Sequence, residues 1–346
     1  SSRACTSARG GALIMIAIRV ARVVRPTLAR HASLHLKTRA PLLTHRALLS
    51  TRAPLHLAAS RHVRPPQHIG HTLARCLATV DVLAKKPEAA TPPPPFDPNK
   101  TLSNVRDLGV AQRARGSDQL FVSSFLGGAM LSWGSILMMV VAGGAPSLAG
   151  DLGLQALVRG VVFPVGLSLI VLSKSELVTA NFLSQALPAP SVDALRVLSV
   201  SFAANLAGSL AMVGAASVAG VFTPGAAAML VKAATAKAAL PAGVAFCKGV
   251  GANWLVNLAV VQAAASPTAP GKIAALWFPI MTFIALNLEH SVANMFLLPM
   301  AMSLGAEFSA MDAAANIGVV AAGNAVGAVL MVGVAQKYSL FGGKGL

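Results

Sequence analysis

One polar pattern, Glu-x-x-x-Ala-Asn, occurs twice in this chain, first from Glu176 and again from Glu289. Both copies lie inside long apolar runs, where an isolated charge costs about 2.5 to 3.5 kcal/mol on membrane-insertion scales. Charged side chains persist in such surroundings when they line water, pair with one another or bind unwound backbone. The pattern therefore predicts a duplicated membrane unit that is built around buried charge.

Other parts of the chain repeat in the same order. The pattern Phe-x-x-Gly-x-x-x-x-Trp occupies residues 125–133 and recurs at 246–254. Residues 203–214 align with 322–333, and the two segments share an asparagine, an internal glycine and a closing Met-Val-Gly. We interpret these matches as one three-segment unit used twice.

Composition assigns this unit to a membrane, because the chain is 55% hydrophobic and 11% charged, with a mean hydropathy of +0.67. Six apolar stretches lie near residues 121–145, 156–184, 194–222, 239–264, 273–302 and 312–336. At about 1.5 Å per residue, each is long enough to cross a hydrocarbon core of roughly 30 Å. Since three spans per unit is an odd number, the second unit enters the bilayer from the opposite face, which predicts an all-α fold of two inverted repeats.

The second and fifth stretches differ from the others because they carry charge near their middle. Lys174 and Glu176 lie in one, and Glu289 and His290 lie in the other. Short hydrogen-bonding side chains surround these charges: Ser173, Ser175, Thr179, Asn181, Asn287, Ser291 and Asn294. Such side chains are expected where a helix breaks and its freed amides and carbonyls need partners. We therefore expect two interrupted helices and a permeation site between them.

Basic residues predict the orientation of the spans. Loops on the side of the termini would carry Arg106, Arg113, Arg115, Arg196, Lys272, Lys337 and Lys344. The opposite side would carry Arg159, Lys232 and Lys237. The positive-inside rule then places both termini in the cytosol or its organellar equivalent.

Residues 1–95 form a basic tail with a Pro-rich spacer, which we expect to be disordered. Twelve arginines and no acidic residue precede Asp81, a composition typical of an organellar transit peptide. The alternative is a basic arm bound to anionic lipid. No aromatic residue precedes Phe96, so the tail has no base-stacking surface for nucleic acid. The three cysteines have neither disulfide nor zinc-ligand spacing, and no cofactor or metal is expected.

These features divide the rest of the chain into five parts. We expect an amphipathic or linker lead-in at 96–120, the first three-helix repeat at 121–222, a connecting loop at 223–238, the second inverted repeat at 239–336 and a C-terminal tail at 337–346.

Three segments carry a resemblance to a known family. They are FPVGLSLIVLSKSELVTANF at 163–182, GANWLVNLAVV at 251–261 and LEHSVANMF at 288–296. In these segments the chain resembles the formate/nitrite transporter family. The resemblance implies six transmembrane helices in an aquaporin-like inverted repeat, with the second and fifth helices interrupted, and a homopentamer with one pore per subunit. With the transit-like tail, the chain is most similar to the algal plastid-envelope branch, whose members are associated with nitrite or bicarbonate.

The resemblance also implies roles for individual residues. His290 would be the central pore histidine, with Thr179 and Asn294 forming hydrogen bonds around it. Lys237 would draw anions toward the vestibule. The hydrophobic constrictions would be formed by Phe163, Leu167 and Phe283. The interrupted helices would be supported by Glu176, Asn181 and Glu289. Lys174 departs from the family pattern, and it could either add positive potential beside the pore or neutralise Glu176.

The expected function is transport of a small monovalent anion, nitrite or formate, with proton coupling at His290. A bicarbonate channel of the chloroplast inner envelope is the alternative within the family, and the mitochondrial inner membrane and the plasma membrane are alternative locations. A neutral-solute channel would share the inverted repeat, but the Asn-Pro-Ala motifs of aquaporins are absent. A membrane enzyme using Glu289 and His290 as acid and base would lack a nucleophile motif, paired metal ligands and a phosphate loop.

Overall fold

The computed structural model describes residues 97–148 and 150–342, and every regular element in them is helical. The expected basic tail lies outside these residues. In chain order the helices are α1 Pro98–Arg113, α2 Ser117–Gly143, α3 Leu152–Val162, α4 Val165–Ser173, α5 Val178–Ala186, α6 Val192–Ala219, α7 Pro224–Ala238, α8 Ala242–Ala265, α9 Ala269–Ala285, α10 Ser291–Ser303, α11 Ala310–Val326 and α12 Ala335–Phe341. A π-helical segment, Gly327–Val334, joins α11 to α12.

Five helical segments in the described part are long and apolar enough to cross a membrane. They are Ser117–Gly143, Leu152–Ser173, Val192–Ala219, Ala242–Ala265 and Ala310–Phe341. The apolar stretch predicted at 273–302 forms two shorter helices instead, α9 with 17 residues and α10 with 13. The chain is therefore an all-helical integral membrane protein.

The structure corrects several expected boundaries. Segment 223–238, expected to be a connecting loop, is the helix α7. Its start is well capped, because Thr223 Oγ1 accepts a hydrogen bond from the Ala226 amide and Pro224 occupies the first turn. Its alanine-rich sequence then favours helix over loop. The lead-in at 96–120 contains α1 and the start of α2, and α12 continues to Phe341, beyond the expected end of the second repeat.

Glycines allow the long helices to pack closely. A Cβ atom added at Gly208 of α6 would lie 2.0 Å from the Phe125 carbonyl oxygen of α2. A Cβ atom added at Gly327 would lie 2.3 Å from the Val250 carbonyl oxygen of α8. Small residues at helix crossings are the usual means of close packing in membranes, where helices gain no hydrophobic advantage over lipid. These contacts place α2 beside α6, which carries Asn205, and α8 beside the helical segment that carries Asn324.

The chain leaves the helical path at two places, which we call break 1 (residues 174–177, between α4 and α5) and break 2 (residues 286–290, between α9 and α10). Lys174 and Asn287 have left-handed backbones, with φ of 57° and 52°. Each lies two residues before the glutamate of its motif. A residue in this conformation commonly ends a helix, so both breaks begin in the same way.

One asparagine supports each break. Asn205 Oδ1 accepts a hydrogen bond from the Val178 amide, and its Nδ2 donates to the Glu176 carbonyl. Asn324 makes the same pair of contacts at break 2, with the Ser291 amide and the Glu289 carbonyl. An unpaired backbone group in hydrocarbon costs several kcal/mol. The two asparagines therefore satisfy the backbone groups that each interruption frees.

These contacts also correct the alignment of α2 with α8. Asn205 Nδ2 donates to the Ser124 carbonyl, and Asn324 Nδ2 donates to the Gly249 carbonyl. Ser124 thus corresponds to Gly249. The sequence match of 125–133 with 246–254 pairs Gly249 with Gly128 instead, which lies one helical turn further along α2. A helix rich in glycine and alanine contains similar residue patterns one turn apart, so the sequence match aligned α2 with α8 one helical turn out of register.

Candidate functional site

His290 lies at the end of break 2 and caps the N-terminus of α10. Its Nδ1 accepts a hydrogen bond of 3.2 Å from the Ala293 amide. Its Nε2 lies 3.0 Å from Thr179 Oγ1, and the side chain is buried. Because Nδ1 acts as an acceptor, the ring proton of the neutral imidazole is on Nε2, which donates to the threonine hydroxyl.

Thr179 belongs to the first turn of α5, directly after break 1. Its carbonyl accepts hydrogen bonds from Asn253 Nδ2 at 3.0 Å and Asn257 Nδ2 at 3.2 Å. Both asparagines lie on α8 and are fully buried. The contact between His290 and Thr179 therefore joins the two breaks, and α8 holds the threonine in place.

A buried ion pair lies beside this histidine. Lys237 Nζ, on α7, donates to Glu289 Oε1 at 2.7 Å. Asn294 Nδ2 donates to the other carboxylate oxygen at 2.7 Å and also to Asn316 Oδ1. Asn316 Nδ2 in turn donates to the Lys237 carbonyl. A buried ion pair is tolerated when further hydrogen bonds satisfy its atoms, and this network supplies them.

Glu176 occupies the equivalent place in break 1. It pairs with Arg115 Nη1 at 2.6 Å, and Gln112 Nε2 donates both to its carboxylate and to Asn181 Oδ1. In the described part of the chain Lys174 makes no ion pair, and its side chain is exposed. Arg115 rather than Lys174 therefore neutralises Glu176.

A small cavity of about 10 Å³ lies on one side of His290. We call it the apolar cavity; its walls are Leu131, Phe163, Leu167, Leu177, Val256, Ile280, Phe283 and His290. Phe163 meets Phe283 edge to face, with ring centroids 5.7 Å apart. The Phe283 ring lies 5.8 Å from the imidazole. A cavity needs about 10 to 15 Å³ to hold one water, so this constriction is at the lower limit for hydration.

A second cavity of about 20 Å³ shares Phe283 and His290 with the first. We call it the cationic cavity, because Arg159 and Lys237 both line it. The remaining walls are Met138, Met139, Ala233, Phe283, Ile284, Asn287, Leu288, His290, Ala293, Asn294 and Leu297. Phe283 and His290 line both cavities, so the two spaces are neighbours.

The structure brings most of the predicted site residues together. His290, Phe163, Leu167 and Phe283 line the apolar cavity, and Lys237 and Asn294 line the cationic one. Asn294 was expected to hydrogen-bond around His290, but its amide nitrogen donates to Glu289 and Asn316. Sequence reasoning missed the roles of Arg159, Gln112 and five buried asparagines. These asparagines are Asn205, Asn253, Asn257, Asn316 and Asn324. Asn205 and Asn324 were visible as a repeated residue, and the signal of the other three was only an amide side chain inside an apolar helix.

A helical membrane fold in which a buried histidine lines both a cationic cavity and an apolar cavity indicates a membrane transport protein. Residues 99–338 match the formate/nitrite transporter family, and the chain belongs to that family. It is 34% identical to a probable formate transporter of Methanothermobacter thermautotrophicus over 71% of this chain and 96% of that protein. It is 33% identical to the formate channel BtFdhC of Bacillus thuringiensis, over 69% and 93% of the two chains.

A solved structure supports the same assignment. An ion channel of the same family superposes with a TM-score of 0.62 and 27% identity, covering 70% of this chain and 98% of that one. The family and the relatives consist of transporters and channels. The protein is therefore a transporter or channel for small anions and not an enzyme, and the hypothesis that Glu289 and His290 act as a catalytic acid and base is wrong.

Proposed function

We propose that each protomer conducts a small planar monoanion of the formate or nitrite type through the two cavities, past His290. The observation that carries this proposal is the position of the imidazole, which lines both cavities and bonds to Thr179 across the two breaks. Dehydration in a medium of low dielectric is the main barrier for such an ion. A route that alternates cationic, hydrogen-bonding and apolar surroundings lowers that barrier in stages.

For the fold, we propose six spans in two inverted repeats, with α3 and α4 followed by α5 as the second span and α9 followed by α10 as the fifth. The matching contacts of Asn205 and Asn324 at the two breaks support this reading. Family membership supports a homopentamer with one pore in each subunit. Cross-linking of the purified protein followed by mass determination would test the number of subunits.

In the proposed mechanism, the anion displaces the Thr179 hydroxyl as acceptor of the His290 Nε2 proton. A second proton on the ring would have to reside on Nδ1, where the Ala293 amide now donates. Proton coupling at His290 therefore requires this capping bond to open. An anion beside the imidazole favours the protonated ring, so we propose that proton and anion arrive together and that the weak acid crosses the apolar cavity in neutral form.

For location, we propose an organellar envelope, with the plastid inner envelope as the first choice and the mitochondrial inner membrane as the alternative. The support is compositional, because twelve arginines precede the first acidic residue. Fusing residues 1–95 to a fluorescent protein would test this assignment, and a signal that stays in the cytosol or at the plasma membrane would contradict it.

The test of transport is flux into liposomes containing the full chain, with nitrite, formate and bicarbonate compared across external pH. We expect flux of at least one anion to rise on acidification and to fall at least tenfold in His290→Ala. Thr179→Val should also reduce flux, since valine cannot accept the imidazole proton, whereas Thr179→Ser should retain it. Flux of an uncharged solute such as glycerol without any anion flux would favour the neutral-solute alternative, and anion flux indifferent to pH would exclude proton coupling.

A further inference from the structure

Arg159 lies in the last turn of α3, and its carbonyl accepts a hydrogen bond from the amide of Phe163. Its side chain lines the cationic cavity together with Lys237, Asn287 and His290. The Nε atom is buried and has no hydrogen-bond partner. An unpartnered polar group away from water carries a cost of desolvation unless a ligand meets it. The Nε–H group is thus a free donor on a side chain that lines this cavity.

The other arginines in residues 97–342 differ from Arg159 in this respect. Each of the four is bonded through its guanidinium: Arg106 to Asp107, Arg113 to Gln185, Arg115 to Glu176 and Arg196 to Asp193. Within the same described residues, Arg159 makes no ion pair and no side-chain hydrogen bond. Among the arginines that the structure describes, Arg159 is therefore the one whose side chain lacks a partner.

The charges around the cavity favour Arg159 over Lys237 as the group that attracts an anion. Lys237 is committed to Glu289 at 2.7 Å, so those two charges balance. Lys248 and Arg159 both lie near enough to Lys237 for their positive charges to repel it, but Lys248 does not line the cavity. Among the residues that line the cavity, the uncompensated positive charge is consequently that of Arg159.

The chemistry of the guanidinium suits a planar anion. Its donors form a rigid fork that matches two oxygens of a carboxylate, whereas an ammonium acts as a point charge. Formate and nitrite each present two oxygens in one plane. The small volume of the cavity, about 20 Å³, restricts the guest to a few heavy atoms.

We propose that Arg159 is the anion-capturing residue at this side of the pore, where it binds a small planar monoanion through two parallel hydrogen bonds before the anion reaches His290. Lys237 then serves chiefly to neutralise Glu289. This proposal rests on the proposed transport function and specifies its first binding step.

The experiment compares Arg159→Gln, Arg159→Lys and Lys232→Gln in the full chain. Lys232 is the matched control, because it is an exposed cation on α7, the helix that carries Lys237, and does not line the cavity. Formate and nitrite uptake into liposomes gives a half-saturating concentration and a maximal rate. We expect Arg159→Gln to raise the half-saturating concentration at least tenfold with a smaller change in maximal rate, Arg159→Lys to fall between, and Lys232→Gln to stay within twofold of the unmodified protein.

Calorimetric binding of formate and nitrite to the purified protein separates this proposal from the transport function. Binding that is lost in Arg159→Gln and kept in His290→Ala supports capture by Arg159, even if the unmodified protein shows no flux and the transport proposal fails. Equal binding by Arg159→Gln and the unmodified protein would overturn capture by Arg159 while leaving transport intact. Equal losses in Arg159→Gln and Lys232→Gln would also overturn it, because they would indicate a diffuse surface charge.

Discussion

The ammonium group of Lys237 and the carboxylate of Glu289 lie 2.7 Å apart in a part of the protein that solvent scarcely reaches. The lysine comes from α7 and the glutamate from break 2. Because His290 follows Glu289 directly, the ion pair also fixes the position of the imidazole. The pair therefore links the connecting helix to the centre of the site.

We expect Lys237→Met to destabilise the protein strongly, because it leaves the Glu289 carboxylate buried without its partner. Removing one member of a buried pair typically costs about 3 to 5 kcal/mol. The double variant Lys237→Met with Glu289→Gln should recover most of this loss, since Asn294 can still bond to the amide. Denaturant titration of the purified protein measures the free energy of unfolding.

The control for this prediction is the exposed pair of Arg106 and Asp107, 2.8 Å apart. Arg106→Gln should change the free energy of unfolding by less than about 1 kcal/mol. Equal effects of Lys237→Met and Arg106→Gln would mean that the buried pair is not needed for stability.

Asn324→Ala should destabilise break 2, because the Ser291 amide and the Glu289 carbonyl would both lose their side-chain partner. Each unsatisfied buried group costs about 1 to 3 kcal/mol. Hydrogen exchange at the Ser291 amide should accelerate as well. Asn104→Ala is the control, since Asn104 is an exposed residue near the middle of α1 that donates to the Ala264 carbonyl. The role assigned to Asn324 is wrong if both variants unfold alike.

Lys174→Gly should preserve or increase stability, because the backbone at this position has φ of 57° and glycine adopts it without a steric penalty. Lys174→Val should reduce stability, since a β-branched residue is disfavoured there. The glycine variant also removes the charge without straining the break. A changed ratio of nitrite to formate flux in Lys174→Gly would indicate that the lysine adds potential to the pore, and an unchanged ratio would assign it a helix-ending role only.

Gly208→Ala should destabilise the packing of α6 on α2, because its Cβ atom would lie 2.0 Å from the Phe125 carbonyl oxygen. Forcing extra volume into a packed contact typically costs about 1 to 3 kcal/mol. Gly214→Ala on the same helix is the control, since nothing lies within 4 Å of its added Cβ atom. Thermal denaturation in detergent compares the two, and a midpoint that falls equally in both would argue against the close crossing.

The sequence predicted more of the candidate site than of the helix packing around it. The repeated Glu-x-x-x-Ala-Asn pattern predicted both breaks, because buried charge and short polar side chains rarely occur inside a spanning helix without a structural reason. The pattern also placed Thr179 and His290 in equivalent segments. Their contact was implied by the family resemblance, but it could not be derived from the residues themselves, since it depends on how break 1 and break 2 approach each other in space.

Other elements were missed for identifiable reasons. Arg159 was counted as a flanking charge that orients a span, and its lack of a partner becomes visible only when the surrounding side chains are placed. The repeated asparagines at 205 and 324 were recognised as a match, but their backbone partners lie on other helices. Segment 223–238 was predicted as a loop because it lies between two apolar stretches and carries Pro, Gly and Lys, whereas the cap at Thr223 starts a helix.

One helical turn separates Arg159 from Phe163, and the Phe163 amide donates to the Arg159 carbonyl. The cation that lines one cavity and an aromatic wall of the other therefore belong to the same turn of backbone. A rigid-body shift of α3 would move both walls together, whereas a rotamer change of Arg159 alone would leave the Phe163 ring in place.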